Sequence, residues 1–591
     1  MGMLAEISDA VDSFNRSVEE QVERVRSDPA AAKETMSRWK QIRESIPTGT
    51  TPTGLKLPRL ALPNVDEPGE VVRYLVGEGL PGEFPFVSSA YRELYLQEHH
   101  ANGNGNGKSN GKAEEPTRLF AGLGLAEDTN ARFHYLQQHQ KSARLSTAFD
   151  GPTLYGVDSD ADGVAGKIGE GGVAIDTVED MLTLYDGFDL RDDNTSVSMT
   201  INGPAPMIMA MFVAAARRRF GDKVIPKLRG TVQADVLKEV QAQNEMLFPV
   251  DAALRLLTDM VEYTTTHMPR WYPISISGYH IAEAGATPVQ QAAYTLSNGF
   301  EYVRMFKERG LDVNAFGPRL SFFLDCGLDI EYLALGRVCR KIWAIAMRDR
   351  FGADKRAQLF KLHTQTSGRS LIAAEFQNNL TRTAVELMLA YMNATNSCHS
   401  NSADEPFTTP GEQYVKLAAQ AQAIMLEESG LFKHMMDTMC GSPGQKEVER
   451  AVEKAILEEF REIDRLGGVL AAVEQRYQRS QIQSAAHRYE QQIYAGQRPI
   501  IGLNRYAEGS AMPDIHVVRT PQKKQQTQVR RLKEFKRKNA KKSVGALDRL
   551  TKVVESGGNT FEELLSTVEV CSLGQITERL QMVMGKFRPM I

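Results

Sequence analysis

From about residue 140 the chain repeats one unit: a short strand-like piece followed by a long helical stretch rich in Ala, Leu, Met and charged residues. The strand pieces read RLSTAFD, TSVSMTI, GTVQAD, PISISG, PRLSFF, LHTQTSG and NSCHSN. Ser277, Ser321 and Gln365 fall 44 residues apart, and the other gaps run from 34 to 52. Repeated β–α units of this length predict a parallel sheet, and seven or eight of them predict a closed (β/α)8 TIM barrel.

Every second residue of these strands is small and polar. The set runs Ser146 and Ala148; Ser196, Ser198 and Thr200; Thr231 and Gln233; Ser275 and Ser277; Arg319 and Ser321; His363, Gln365 and Ser367; Ser397, His399 and Asn401. Residues at period two share one face of a strand, whereas an ordinary barrel fills its interior with Val, Ile and Leu. Turning these hydroxyls toward apolar helices would cost about 1–3 kcal/mol for each one left unsatisfied. The expectation is therefore a hydrophilic bore wide enough for a ligand.

The flanks carry other signals. Residues 1–45 read as helix, and prolines at 52, 58, 63 and 68 then impose extended chain. A low-complexity insert at 99–116 contains GNGNGKS, which superficially resembles a phosphate loop. It is one residue short of the required spacing and reads as a linker. The basic run KKQQTQVRRLKEFKRKNAKK lacks interleaved aromatics and reads as a solvated helix face, and a net charge of −4 gives no sign of nucleic-acid or membrane binding. Five scattered cysteines form neither a disulfide framework nor a zinc site, and no apolar run approaches 18 residues, so a cytoplasmic setting is expected. The expected division is an arm over 1–130, the barrel over 131–510 and a helical tail over 511–591.

The segments TSVSMTINGPAP, GTVQADVLKEVQAQN, SISGYHIAEAG, FGPRLSFF and TQTSGRSL, in that order, resemble the catalytic barrel of the methylmalonyl-CoA mutase superfamily from about residue 70 to 510. The resemblance implies an adenosylcobalamin-dependent isomerase that rearranges an acyl-CoA carbon skeleton by radical chemistry, with coenzyme A threading the polar bore. It places His280 on the thioester carbonyl, with Tyr279 and Gln233 beside the reacting group. It implies acyl or CoA contacts at Tyr91, Arg118, Ser146, Ala148, Ser196, Ser198, Thr200, Thr231, Arg319, Ser321 and His363. It assigns Glu283, Gln365, Asn401 and Glu405 to the adenosyl group, and Phe149 and Gly368 to positions beside the corrin.

Two positions bear on the acyl group. Methylmalonyl-specific members resemble one another in having Arg at the place of Gln243 and Tyr at the place of Phe120. Without that Arg a substrate carboxylate would be buried unpaired, at a heavy penalty. The Phe120/Gln243 pair resembles the isobutyryl-CoA mutase branch, and Ala148 stands where hydroxyisobutyryl-type members have Asp. Conversion of isobutyryl-CoA to n-butyryl-CoA is the expected reaction. Pivalyl-, 2-hydroxyisobutyryl- and methylmalonyl-CoA are alternatives, and a non-catalytic scaffold is the alternative of another class.

Fused members of the superfamily carry an Asp-x-His-x-x-Gly cobalt-ligand motif in a flavodoxin-like domain. The near match Asp514-Ile-His516-Val-Val-Arg519 has Arg for Gly and is followed by a basic helical stretch. The expectation is thus a large subunit with no cobalamin-binding flavodoxin-like domain and no metal ligand of its own. A separate small subunit would supply the cobalt ligand and share the cofactor, and whether a GTPase chaperone serves the enzyme is left open. One further departure concerns the eighth strand, expected at DTMCGSPGQKEVE, which keeps only Asp437, Gly441 and Ser442 of the family pattern.

Overall fold

The computed structural model describes residues 2–90, 120–137, 142–407, 410–508 and 519–588. Tyr91, Arg118, the 99–116 insert and the Asp514–His516 near match lie outside the described residues. A small antiparallel pair, β1 (Thr48–Thr50) and β2 (Lys56–Pro58), forms in the Pro-rich arm.

Nine further strands follow: β3 (Phe120–Ala121), β4 (Ala143–Ala148), β5 (Thr195–Thr200), β6 (Gly230–Val232), β7 (Trp271–Tyr272), β8 (Ile274–Ser277), β9 (Leu320–Cys326), β10 (Leu362–Thr366) and β11 (Ser397–His399). All pair in parallel, in the spatial orders β3-β4-β5-β6-β7 and β8-β9-β10-β11. Pro273, which has no N–H to give to a ladder, separates β7 from β8. The Ser275 N–H nevertheless donates to the Gln233 carbonyl at 3.0 Å, so the two sheets run on into each other. At the far ends the Phe120 ring of β3 lies 5.1 Å from the His399 ring of β11.

The alternation in the sequence is the packing rule of these strands. Leu145, Val197, Met199, Val232, Ile274, Ile276, Leu320, Phe322 and Leu324 have the opposite parity to the polar set and are at most 2% exposed. Phe322 stacks on Phe360 at 3.9 Å and meets Trp343 of helix Leu335–Asp349 edge-on at 4.7 Å, and Trp343 stacks on Phe300 of helix Pro288–Glu308. The apolar face therefore takes the helices, and each such aromatic contributes about 1.5–3 kcal/mol of transfer free energy. The polar set shares the other face.

The eighth strand expected at 437–449 does not form. Pro443 opens a 23-residue helix, Pro443–Arg465, and the Ser442 hydroxyl accepts from the Gln445 N–H at its start. Proline at the first helical position and a serine cap favour that outcome. Asp437 instead pairs with the buried Arg337, which also holds Glu78 and Glu449. Two short strands join the seven expected ones: β7, which Pro273 separates from β8, and β3, at the opposite end of the run.

The flanking segments share the main core. Helix Met3–Ser27 buries Leu4, Ile7 and Val11 in it, and Asp28 caps the next helix, Pro29–Ser45. The boundary expected at 130/131 falls inside helix Ala126–Gln137. The basic run lies in one 34-residue helix, Gln522–Glu555, followed by Thr560–Thr567 and Leu573–Met584, with Leu550, Phe561, Leu564 and Ile576 in the main core. Asp158, in the loop after β4, clamps this tail by accepting from Ser572 Oγ at 2.6 Å, the Gly574 N–H at 2.7 Å and Lys536 Nζ at 2.8 Å. Replacing Asp158 by Ala orphans the Gly574 N–H and leaves Lys536 with Asp160 and Ser572 with Gln575. It should cost about 2–4 kcal/mol in chemical denaturation and speed amide exchange over residues 570–584.

Candidate active site

The polar face is graded along the strands. Two residues before Ser146, Thr231, Ser321 and His363 stand Arg144, Arg229, Arg319 and Lys361, a layer of cations at the N-terminal strand ends. Three of them converge on Tyr272: Lys361 Nζ lies 3.8 Å from the ring centre, and Lys361, Arg229 and Arg319 outweigh burial to pull its phenol below the usual range. The Arg319 guanidinium also donates to the Thr265 carbonyl at 3.0 Å.

The middle of the face carries hydroxyls. The register sets Phe120, Ser146, Ser198 and Thr231 in one row, with Arg144 opposite Ser196 and Ala148 opposite Thr200 in adjacent rows. Thr200 Oγ1 donates to the Thr147 carbonyl and Ser321 Oγ to the Ile274 carbonyl. Ser146 Oγ is buried with no hydrogen-bond partner among the described residues. His363 Nδ1 lies 2.7 Å from Ser397 Oγ, and Phe120 packs edge-on against both His363 and His399.

At the C-terminal ends β8 passes directly into the short helix Tyr279–Glu283. His280 Nδ1 is 2.6 Å from Ser277 Oγ, and the Ser277 N–H donates to the fully buried Asp235 at 2.7 Å. Asp235 also accepts from Tyr302 OH and the Lys238 N–H, so one carboxylate ties β8 to the turn after β6. Burial, with the charge of Lys238, pushes the His280 imidazole well below its usual range and keeps it neutral. Tyr279 stacks on Phe323 at 4.9 Å, and its hydroxyl accepts from Gln365. Gln233 Oε1 accepts from Asn202 at 2.9 Å.

Glu283, Gln365, Gly368, Asn401 and Glu405 gather at this same end. Gln365 donates to Asn401 at 2.8 Å, and the Gly368 N–H donates to Glu283 at 2.6 Å. A Cβ on residue 368 would stand 2.8 Å from Glu283 Oε2, so glycine permits that approach. Burial raises Glu283, and burial raises Glu405 to about 7 although its side chain opens to solvent on one side. Carboxyls whose protonated form burial favours, beside two amides, both accept from and donate to hydroxyls. That donor set fits a ribose-bearing group such as an adenosyl moiety. Phe149 is 3% exposed and sits in the main core, its backbone bridged to Val173.

Some members of this constellation lie within the quoted motifs but were given no role there. Asp235 and Lys238 act from behind the visible face, and Asn202 follows its strand. The cations Arg144, Arg229 and Lys361 could have been found by extending the alternation two residues upstream.

The methylmalonyl-CoA mutase family model matches residues 61–586. The chain belongs to that family. It is 44% identical over 581 residues to a fused isobutyryl-CoA mutase of Geobacillus kaustophilus, covering 94% of this chain and 52% of that protein. A fused isobutyryl-CoA mutase of Cupriavidus metallidurans is 41% identical over 93% of this chain and 51% of its own length. The 2-hydroxyisobutanoyl-CoA mutase large subunit of Aquincola tertiaricarbonis is 35% identical, over 86% of this chain and 88% of its own length. The chain thus spans about half the length of the fused relatives. These relatives correct the expectation of a large subunit served by a separate cobalamin-binding small subunit, because the enzymes it resembles at 41–44% identity are fused ones. Among the described residues no helix is long and apolar enough to cross a membrane.

Ser277→Ala should leave the fold intact and release the His280 ring. Nitrogen NMR should then show a mixture of the two neutral tautomers in place of one, since among the described residues Ser277 is what pairs with Nδ1.

Proposed function

We propose that this chain carries the acyl-CoA-binding, carbon-skeleton-rearranging part of an adenosylcobalamin-dependent mutase acting on a branched, uncharged acyl-CoA, with isobutyryl-CoA as substrate and n-butyryl-CoA as product. In this reading the parallel run closes into a (β/α)8 barrel, with the Phe120–His399 contact at the seam, and its polar face becomes the bore. The observation that carries the proposal is the grading of that face, with cations at one end, hydroxyls along the middle and a neutral histidine with carboxyls at the other. Phosphates suit the first, a pantetheine arm the second and a thioester the third.

His280 does the positioning at the reacting end. A Ser277 hydroxyl donating to Nδ1 leaves the proton on Nε2, and a neutral imidazole donor steadies a carbonyl oxygen as charge develops without handing over its proton. Gln233, held by Asn202, and Tyr279, stacked on Phe323, restrict the same corner. Glu283, Glu405, Gln365 and Asn401 would hold the adenosyl group. Adenosylcobalamin supplies the homolytic hydrogen-abstracting chemistry when bound, and the chain contributes orientation and exclusion of water. Phe120 and Gln243 offer no cation to a free carboxylate, which favours an uncharged acyl chain.

The test is a calorimetric panel of acyl-CoA thioesters on the full chain. Isobutyryl-CoA should bind at least about tenfold tighter than methylmalonyl-CoA, a difference of about 1.4 kcal/mol. The reverse order would overturn the substrate, and absence of binding by every thioester would overturn the acyl-CoA reading itself.

A further inference from the structure

Behind Gln243 lies a buried ion pair. Lys238 and Glu239 both have side chains with no exposed surface, and Lys238 Nζ sits 2.5 Å from Glu239 Oε1. The same ammonium lies 2.5 Å from Gln243 Oε1. The other Glu239 oxygen accepts from the Glu245 N–H at 2.9 Å.

The backbone makes this arrangement. Asp235 caps the turn after β6 by accepting the Lys238 N–H, and Glu239–Gln243 then winds as one wide π turn that ends on Asn244 in the left-handed region. A π turn repeats after about five residues rather than four, which returns residue 243 to residue 238. Gln243 is exposed while Lys238 is fully buried. The amide carbonyl therefore points inward to the ammonium, and its N–H2 is left for the open side.

We propose that the Lys238–Glu239 pair is a specificity-determining element for the acyl group: Lys238 turns the Gln243 amide so that its N–H2 faces the substrate, and Glu239 cancels the lysine charge so that the corner selects an uncharged acyl chain. This deepens the acyl-CoA reading above and rests on it. A carboxylate brought to the corner meets an ammonium already matched by Glu239, so it would be desolvated without a net counter-charge. Two other acids lie within reach: Asp235, already engaged by Tyr302, the Ser277 N–H and the Lys238 N–H, and Glu245. Burial and the Glu239 charge raise Glu245 to about 7, and loss of Glu239 alone would let it ionise and take over.

The experiment measures Kd for isobutyryl-CoA and methylmalonyl-CoA on the full chain. In Glu239→Gln/Glu245→Gln the lysine charge is uncovered, and the ratio of the two Kd values should move toward methylmalonyl-CoA by about tenfold or more. Lys238→Met/Glu239→Gln removes both charges at matched volume. The corner stays neutral, so the ratio should hold within about threefold while isobutyryl-CoA binds more weakly, Gln243 having lost its anchor. An unchanged ratio in the first variant, or a tenfold shift in the second, overturns the proposal. The second variant decides alone if the first does not fold. If the unaltered chain binds neither thioester, the acyl-CoA reading falls and takes the pair with it. If it prefers isobutyryl-CoA and that preference survives Glu239→Gln/Glu245→Gln, the pair alone falls.

Discussion

Each strand of the parallel run must satisfy two opposite solvents at once. One face packs Leu, Ile, Val and Phe against helices, as where Phe322 meets Trp343 and Phe360, and the other lines up hydroxyls, amides and imidazoles. Because the side-chain period is two, a one-residue slip of any strand would exchange the faces. The slip would bury Ser, Thr and Gln against helices and turn Phe322 and Ile276 toward the polar side. Register is therefore strongly specified, and the site inherits that precision.

On this frame a few buried carboxylates do the joining. Asp235 binds Ser277, Tyr302 and the first turn after β6, and so sets the distance between His280 and the Lys238 corner. Asp158 fastens the tail to the loop after β4, and Arg337 gathers Glu78, Asp437 and Glu449 where a family strand had been expected. Asp158 and Arg337 are ion-paired and hydrogen-bonded, and Asp235 accepts three hydrogen bonds, which is what permits their burial.

Family membership and chain coverage fit together in one picture. The match over residues 61–586 takes in the parallel strands, the helices between them and most of the tail, and the tail packs into the same core. The fused relatives are about twice as long as the chain.

The sequence by itself determined the parallel run, the parity of its polar face and the motif residues around His280, because these depend on short-range periodicity and local spacing. It also led to a wrong strand: Asp437, Gly441 and Ser442 looked like remnants of an eighth strand, yet Pro443 and a serine cap commit that stretch to helix. Only the tertiary structure decided that β3 at Phe120–Ala121 joins the run, since two residues carry no period. Only it decided which groups stand behind the visible face. Lys238 and Glu239 look like an ordinary charged pair in a helical stretch. A π turn and complete burial make them the support of Gln243, and those depend on contacts between elements far apart in the chain.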